Sequence, residues 1–206
     1  PTAISRGHMV EIGGGFRLPT IMEASGSPLI EIGTTNRTHL KDYREAIEAG
    51  AALLLFVHRS NFVMSGYVTE PEPEQVIALA HEHDIPVMLD ATRALENAYF
   101  IQSRDPRYHK TKIRDIVREM MLYGDGCTVS GKKDFLINIG GVLCFREDAE
   151  LAEKTREMLR VYEGNVTDGG LATADLAAIC GGLEEMLDDR YIRSRVRQTQ
   201  YLGELL

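Results

Sequence analysis

Two adjacent lysines in a short polar segment are the residues best suited to chemistry in this sequence. The segment Ser130-Gly-Lys-Lys-Asp134 follows Cys127-Thr-Val129, a run typical of a strand. A buried lysine amine near a second cation has a lowered pKa and can attack an aldehyde to form a Schiff base. Lys133 is then the nucleophile, Lys132 the second cation and Ser130 a hydroxyl for a phosphate. The alternative is a turn with two solvated lysines, which the spacing alone favours.

An aspartate follows the apolar run Val87-Met-Leu89. A strand that ends in Asp90 places a carboxylate at the carboxyl edge of a sheet, where open α/β folds bind ligands. Such an acid can keep the pyridine nitrogen of pyridoxal 5′-phosphate (PLP) protonated, which makes the ring a better electron sink. The alternative is a helix N-cap, and the position alone leaves both readings open.

Three further features are weaker candidates. Asn61 follows another apolar run and could donate to the phenolic oxygen of PLP, although a lone asparagine is more often a turn former. His58 is by itself more often a satisfied polar residue than a catalytic base. The run Gly13-Gly-Gly15 lacks both the dinucleotide-binding spacing and the lysine of a P-loop.

The elements that must position these residues alternate between short apolar and longer amphipathic segments. This pattern predicts an α/β fold with a mostly parallel sheet. The expected strands are 29–32, 52–57, 86–89, 126–129 and 141–145. The expected helices are 18–24, 40–49, 72–83, 113–122, 149–161, 172–188 and 191–205, with Thr38 as N-cap of the second.

Composition narrows the class of protein. The 206 residues include 23 basic and 31 acidic side chains, a net charge of −8, which argues against general affinity for nucleic acid. No apolar run is long enough to span a bilayer. Three cysteines without a C-x-x-C pair indicate a reduced, cytoplasmic protein. We expect one large domain over residues 1–206, a fragment whose last residues, from about 190, lead into a small domain.

From about residue 85 onward the sequence resembles the β-eliminating lyases tyrosine phenol-lyase and tryptophanase, and the first more closely. The stretches that carry this resemblance are Asp90-Ala-Thr-Arg93, Glu96-Asn-Ala-Tyr-Phe-Ile101, Asp125-Gly-Cys-Thr-Val-Ser-Gly-Lys-Lys-Asp134, Asn138-Ile-Gly-Gly141, Val161-Tyr-Glu-Gly164, Gly169-Gly-Leu-Ala172 and Gln200-Tyr-Leu-Gly203. The resemblance implies the large domain of a fold-type I (aspartate aminotransferase-like) PLP enzyme, with three α/β/α layers.

The same resemblance implies roles for individual residues. It assigns the aldimine to Lys133, the pyridine nitrogen to Asp90 and the O3′ atom to Arg93. It also implies that Thr92, Ser130, Lys132 and Asn61 contact the cofactor. Asn138 matches a position whose backbone helps to bind a monovalent cation, typically K⁺. A homodimer or homotetramer is also implied.

Residues from about 5 to 80 resemble a different family, bacterial selenocysteine synthase (L-seryl-tRNA selenium transferase). The stretches are Ser5-Arg-Gly-His-Met-Val-Glu-Ile-Gly-Gly-Gly-Phe-Arg-Leu-Pro19 and Glu31-Ile-Gly-Thr-Thr-Asn-Arg-Thr-His-Leu-Lys-Asp-Tyr43. This family has the same fold type and cofactor but a different substrate.

The leading hypothesis is a PLP-dependent lyase that catalyses β-elimination on an amino acid, inactive as a fragment alone. One alternative is a β-replacement transferase that acts on seryl-tRNA, the one reading that requires nucleic acid. The other is a catalytically inactive scaffold of the same fold.

Overall fold

The computed structural model describes residues 1–58, 66–146, 149–165 and 169–206. Its strands are β1 (Thr2–Ser5), β2 (Glu11–Ile12), β3 (Phe16–Arg17), β4 (Leu29–Ile32), β5 (Leu53–Val57), β6 (Val87–Asp90), β7 (Gly126–Ser130) and β8 (Gly141–Phe145). Its α-helices are α1 (Leu18–Ala24), α2 (Leu40–Glu48), α3 (Pro73–His81), α4 (Ala94–Arg104), α5 (Ile113–Met121), α6 (Gly131–Asp134), α7 (Ala149–Tyr162), α8 (Thr173–Glu185) and α9 (Asp189–Leu205).

Six strands form one sheet in the order β4-β1-β5-β6-β7-β8, and β2 pairs with β3 separately. The described pairings of β1 with β4, β1 with β5, and β5 with β6 are all parallel. The chain divides into two compact units, the first comprising Pro1–Asp90 and Tyr123–Cys127, the second Ala91–Leu122 and Thr128–Leu206. The expected α/β architecture with a mostly parallel sheet is confirmed.

The first unit packs α2 and α3 against its part of the sheet. Helix α2 contributes Tyr43 and Ala46 to the core, and α3 contributes Val76 and Leu79, which meet Leu54 of β5. Each aliphatic side chain buried in this way contributes about 1.5–3 kcal/mol of hydrophobic stabilisation. This packing fixes the strands whose carboxyl ends carry Asp90 and its neighbours.

Strand β1 was not among the strands expected from the sequence, although all four of its residues are buried. Two of them, Thr2 and Ser5, are polar, and this lowers the apolar signal of a segment only four residues long. Ser5 is satisfied inside the core because its hydroxyl lies 2.7 Å from the Thr38 hydroxyl. Thr38 is therefore a core residue, and its expected role as N-cap of α2 is wrong, since His39 occupies the cap position and donates its backbone N–H to Asp42.

The glycine run forms the turn of the β2–β3 hairpin. Gly13 and Gly15 have φ angles of +59° and +107°, in the region that favours glycine. A Cβ atom at any of the three glycines would meet no atom within 4 Å. The run serves as an exposed turn.

In the second unit α4 packs against both α5 and α9. Ile113 and Ile116 of α5 and Ile192 of α9 are fully buried. Helix α4 was not expected from the sequence. The five expected strands and seven expected helices all exist, with boundaries within three residues of those predicted. Within the described ranges, no helix is both long and apolar enough to cross a membrane.

Candidate functional site

The two lysines lie in α6, a single turn of helix that follows β7 directly. Gly131 starts this turn, and its N–H donates to the carbonyl of Gly140 at 2.9 Å. A Cβ at Gly131 would lie 2.5 Å from Ile137 Cδ1 and 2.9 Å from the Gly140 carbonyl oxygen, so a larger residue does not fit. Leu136 closes the segment with a φ of +59°, which is unusual for a residue with a branched side chain. The turn is therefore held in one conformation from both ends.

Asp134 anchors the lysine turn to the start of α4. Its side chain is fully buried and accepts the backbone N–H groups of Arg93 at 2.7 Å and Leu95 at 3.4 Å. Burial raises the pKa of Asp134 to about 6, and the hydrogen bonds from the α4 backbone partly offset this rise. The carboxylate satisfies helix N–H groups that have no partner within α4.

Thr92 and Arg93 lie at the same end of α4. The Thr92 hydroxyl accepts the Ser130 N–H at 3.2 Å, so it is close to the end of β7. Arg93 has a φ of +72° at the N-cap position of α4, and its Nη1 donates to Glu96 Oε1 at 3.1 Å. Its Nε is buried without a hydrogen-bond partner among the described residues. Four predicted site residues, Thr92, Arg93, Ser130 and Lys133, are thus linked within the second unit by hydrogen bonds of the turn and α4.

Sequence reasoning missed two residues of this network. Arg195 of α9 donates to the backbone carbonyl of Lys133 at 2.6 Å and pairs with Glu96 Oε1 at 2.8 Å. Glu96 lies in one of the stretches that carried the lyase resemblance, but no role followed from it. Arg195 is 62 residues from Lys133 in the chain, so local spacing gave no signal for their contact.

The lysine side chains differ in exposure. Lys132 is exposed and Lys133 half-buried. No carboxylate among the described residues forms an ion pair with either ammonium group. Asn138 is exposed, and its predicted role at a monovalent cation stays a prediction. Across the described ranges, no cluster of His, Cys, Asp or Glu side chains is arranged to hold a metal ion.

Asp90 belongs to the first unit, where it ends β6. It is half-buried, and its backbone carbonyl accepts the His58 N–H at 3.0 Å. The alternative reading of Asp90 as a helix N-cap is wrong, because α4 starts at Ala94 with Arg93 as its cap residue. Asn61 lies outside the described residues. The placement of Asp90 relative to Lys133 stays a prediction.

A buried and a half-buried histidine, His8 and His58, also lie in the first unit. His8 is 2% exposed, and its Nε2 lies 3.3 Å from Glu70 Oε1. The Nδ1 atoms of His8 and His58 are both buried without a hydrogen-bond partner among the described residues. Burial lowers the pKa of His58 to about 4, Asp90 opposes that effect and His8 adds to it. His58 is therefore neutral at physiological pH. The reading of His58 as a satisfied polar residue stays a prediction.

This histidine makes a testable contribution to stability. The unfolded chain binds a proton at His58 near pH 6.5, whereas the folded chain does so only near pH 4. The stabilisation is therefore complete above pH 6.5 and is lost as the pH falls towards 4, by roughly 3 kcal/mol at most. We expect His58→Asn to remove this slope from a series of urea denaturations between pH 7.5 and 4.5. The exposed His83→Asn is the matched control. Parallel slopes for wild type and His58→Asn would contradict the assignment.

Comparison with known proteins identifies the family. The family model for L-seryl-tRNA selenium transferase (SelA) matches residues 2–125, more than half of the chain. The chain belongs to this family.

This SelA-family chain is also similar to lyases. It is 50% identical over 132 residues to tyrosine phenol-lyase of Symbiobacterium sp. (64% of this chain, 29% of the relative). It is 37% identical over 206 residues to tyrosine phenol-lyase of Pasteurella multocida (98% and 44%). It is 44% identical over 155 residues to a probable tryptophanase of Aeropyrum pernix (75% and 33%). The chain thus spans less than half the length of these curated relatives.

A solved structure of D-glucosaminate-6-phosphate ammonia-lyase aligns with a TM-score of 0.65 at 18% identity, over 89% of this chain and 42% of that one. This similarity supports the expected α/β fold of fold-type I. Both resemblances found in the sequence, to SelA and to the β-eliminating lyases, are confirmed. The similarity to the Pasteurella tyrosine phenol-lyase covers almost the whole SelA-family chain, a wider extent than the expected start near residue 85.

Proposed function

We propose that this chain is the cofactor-binding part of a PLP-dependent lyase that catalyses β-elimination on an amino acid. The observation that carries the proposal is the lysine turn. Lys133 is half-buried, and no described carboxylate neutralises its ammonium. Arg195 binds its backbone carbonyl, and the next residue, Asp134, is anchored to the backbone of Arg93. An amine held in this way is suited to react with an aldehyde.

The residues of the second unit fit a PLP group. The buried, unpartnered Nε of Arg93 is a donor in need of an acceptor, and the phenolic oxygen of the cofactor is one. Thr92 and Ser130 bring hydroxyl groups to the same region, because the Thr92 hydroxyl binds the backbone of Ser130. When bound, PLP supplies an electron sink for the carbanion that forms at the substrate Cα.

The roles of the chain's own residues follow from this assignment. Lys133 would hold the cofactor aldehyde; once the substrate amine had displaced it, its freed amine would take the proton from the substrate Cα. Asp90 holds the proton on the pyridine nitrogen. Arg93 and Asn61 bind O3′, Ser130 and Thr92 bind further cofactor oxygens, and Lys132 adds a positive charge. The substrate loses its β-substituent, and the products after hydrolysis are pyruvate and ammonia.

The names of the relatives point to the substrate class. Tyrosine phenol-lyase and tryptophanase are the names of the similar curated proteins. We therefore propose an aromatic amino acid as substrate. We also propose a cytoplasmic homodimer or homotetramer, with K⁺ at the backbone of Asn138.

A second function is favoured by one specific observation, the match of residues 2–125 to the L-seryl-tRNA selenium transferase model. In that case the same chemistry at Lys133 would replace the hydroxyl group of a serine that is attached to a tRNA. The net charge of −8 disfavours this alternative, because a bound tRNA requires neutralisation of many phosphates.

One experiment separates the two functions. The full-length protein is titrated with PLP, and the visible absorption of lysine-bound cofactor is followed. L-tyrosine, L-tryptophan and L-serine are then added separately, and pyruvate and ammonia are measured. We expect the band to form, to change with an aromatic amino acid and to yield equal amounts of both products. No band would refute the proposal. A band that responds only to seryl-tRNA, with retardation of that tRNA at moderate salt, would establish the second function.

A further inference from the structure

The carbonyl group of Lys133 is held by a side chain from a distant part of the sequence. Helix α6 has only four residues, so the carbonyls of its last residues have no partner within the helix. Arg195 Nη1 donates to the Lys133 carbonyl at 2.6 Å, and this places a cation at the end of α6 where the helix dipole is negative. The backbone of the lysine is thus fixed by a charge-assisted hydrogen bond, which is stronger than a neutral one.

The same guanidinium is itself fixed. Arg195 Nη2 lies 2.8 Å from Glu96 Oε1, and its Nη1 lies 3.3 Å from the hydroxyl of Tyr191 one turn earlier in α9. The side chains of Arg195 and Glu96 are 26% and 17% exposed, so solvent screens their attraction less than on an open surface. Arg195 can therefore hold the Lys133 carbonyl in one place.

Glu96 connects this contact to a second predicted cofactor residue. Its Oε1 forms an ion pair with Arg195 Nη2 and accepts a hydrogen bond from Arg93 Nη1 at 3.1 Å. One carboxylate oxygen thus lies between two guanidinium groups, one bound to the Lys133 backbone and the other on the residue assigned to O3′. A shift of Arg195 displaces Glu96, and through it Arg93.

We propose that Arg195 is a positioning residue for Lys133, and that Glu96 couples the position of Lys133 to that of Arg93. The inference rests on the proposed function, because the geometry of Lys133 matters only if its amine binds an aldehyde. Arg195 acts through the backbone of the lysine and touches neither cofactor nor substrate.

The test measures how fast Lys133 captures PLP. The full-length protein is mixed with PLP, borohydride is added after increasing delays, and the fraction of PLP-modified Lys133 peptide is measured by mass spectrometry. Arg195→Met keeps the length of the side chain but removes its donors. We expect it to slow capture roughly tenfold to a hundredfold, because small misplacements of a reacting group have effects of this size. We also expect a change in the pH profile of the visible absorption band. Arg195→Lys keeps the positive charge and a donor, and we expect it to recover part of the rate.

Two further variants keep the test decisive. Arg197→Met changes an exposed arginine on the same helix and is expected to match wild type. Glu96→Gln keeps the shape but removes the charge that binds both arginines, so it is expected to slow capture by a smaller factor than Arg195→Met. If Arg195→Met does not fold, Arg195→Lys and Glu96→Gln carry the test.

The outcomes distinguish this inference from the proposed function. Capture at the same rate and with the same pH profile in wild type, Arg195→Lys and Glu96→Gln would overturn the role of Arg195. Absence of modified Lys133 in the wild-type protein would instead overturn the proposed function.

Discussion

Replacement of Lys133 by alanine is expected to abolish covalent capture of PLP. The variant loses the one amine that the lysine turn holds half-buried, while Asp134 and Arg195 still bind groups that the substitution leaves in place. Arg195 contacts the backbone carbonyl of residue 133, and alanine has the same carbonyl. The fold is therefore expected to survive. The measurement is the mass of the protein after borohydride reduction, together with the loss of the visible band.

Lys132→Ala is the matched control for this prediction. Lys132 is adjacent in sequence but exposed, so its amine is solvated. We expect this variant to retain the borohydride-stable adduct at Lys133, with slower capture because a neighbouring cation is lost. An adduct found on Lys132 in the wild-type protein, or an adduct still formed in Lys133→Ala, would show that the assignment of the nucleophile is wrong.

A second large effect is expected at Gly182, in the interior of α8. A Cβ atom there would overlap the backbone carbonyl oxygen of Phe135, which follows the lysine turn directly and is itself buried. Neither group can move without shifting either α8 or the segment after Asp134. We expect Gly182→Ala to destabilise the fold by about 3 kcal/mol, the upper range for overpacking of a core. A urea denaturation midpoint measures this change, and capture of PLP is expected to fall with it.

Gly181→Ala, in the same helix, is expected to have the opposite effect on stability. Gly181 is exposed, and a Cβ there would meet no atom within 4 Å. Alanine is favoured over glycine in an exposed helix interior by about 1 kcal/mol, so this variant is expected to be more stable than wild type. Equal stability of the two variants would contradict the close approach of Gly182 to Phe135.

The sequence predicted those elements of the fold that have a strong local pattern. Strands β4 and β8 and helix α1 have the predicted boundaries, because the strands are short and mainly apolar and Leu18, Ile21 and Met22 of α1 follow helical spacing. Strand β1 escaped prediction because Thr2 and Ser5 are polar, and they can be buried only since partners from other segments bind them. Helix α4 was missed because Arg93, its cap residue, lacks the side chain of an ordinary N-cap.

The same distinction applies to the candidate site: residues in short motifs could be predicted, whereas contacts between distant segments could not. Lys133, Arg93 and Thr92 were predicted from short motifs and from the resemblance to the lyases, and the structure links their segments within the second unit. Arg195 and the coupling role of Glu96 could not be found from spacing, because the contact of Arg195 with Lys133 joins residues far apart in the chain. The burial of the His58 Nδ1 atom also depends on packing by other elements and has no local signature.

The distance along the chain between Lys133 and Arg195 also sets an order of events during protein synthesis. The ribosome makes the lysine turn first, and 62 further residues must be added before the guanidinium that holds its carbonyl exists. Closing a loop of this length costs conformational entropy. The contacts between α9 and α4 offset this cost only once α9 has folded. The Lys133 carbonyl of the nascent chain therefore lacks its Arg195 contact until α9 has left the ribosome exit tunnel. If the proposed function holds, we expect capture of an aldehyde in the final geometry to be a late event in the biogenesis of this protein.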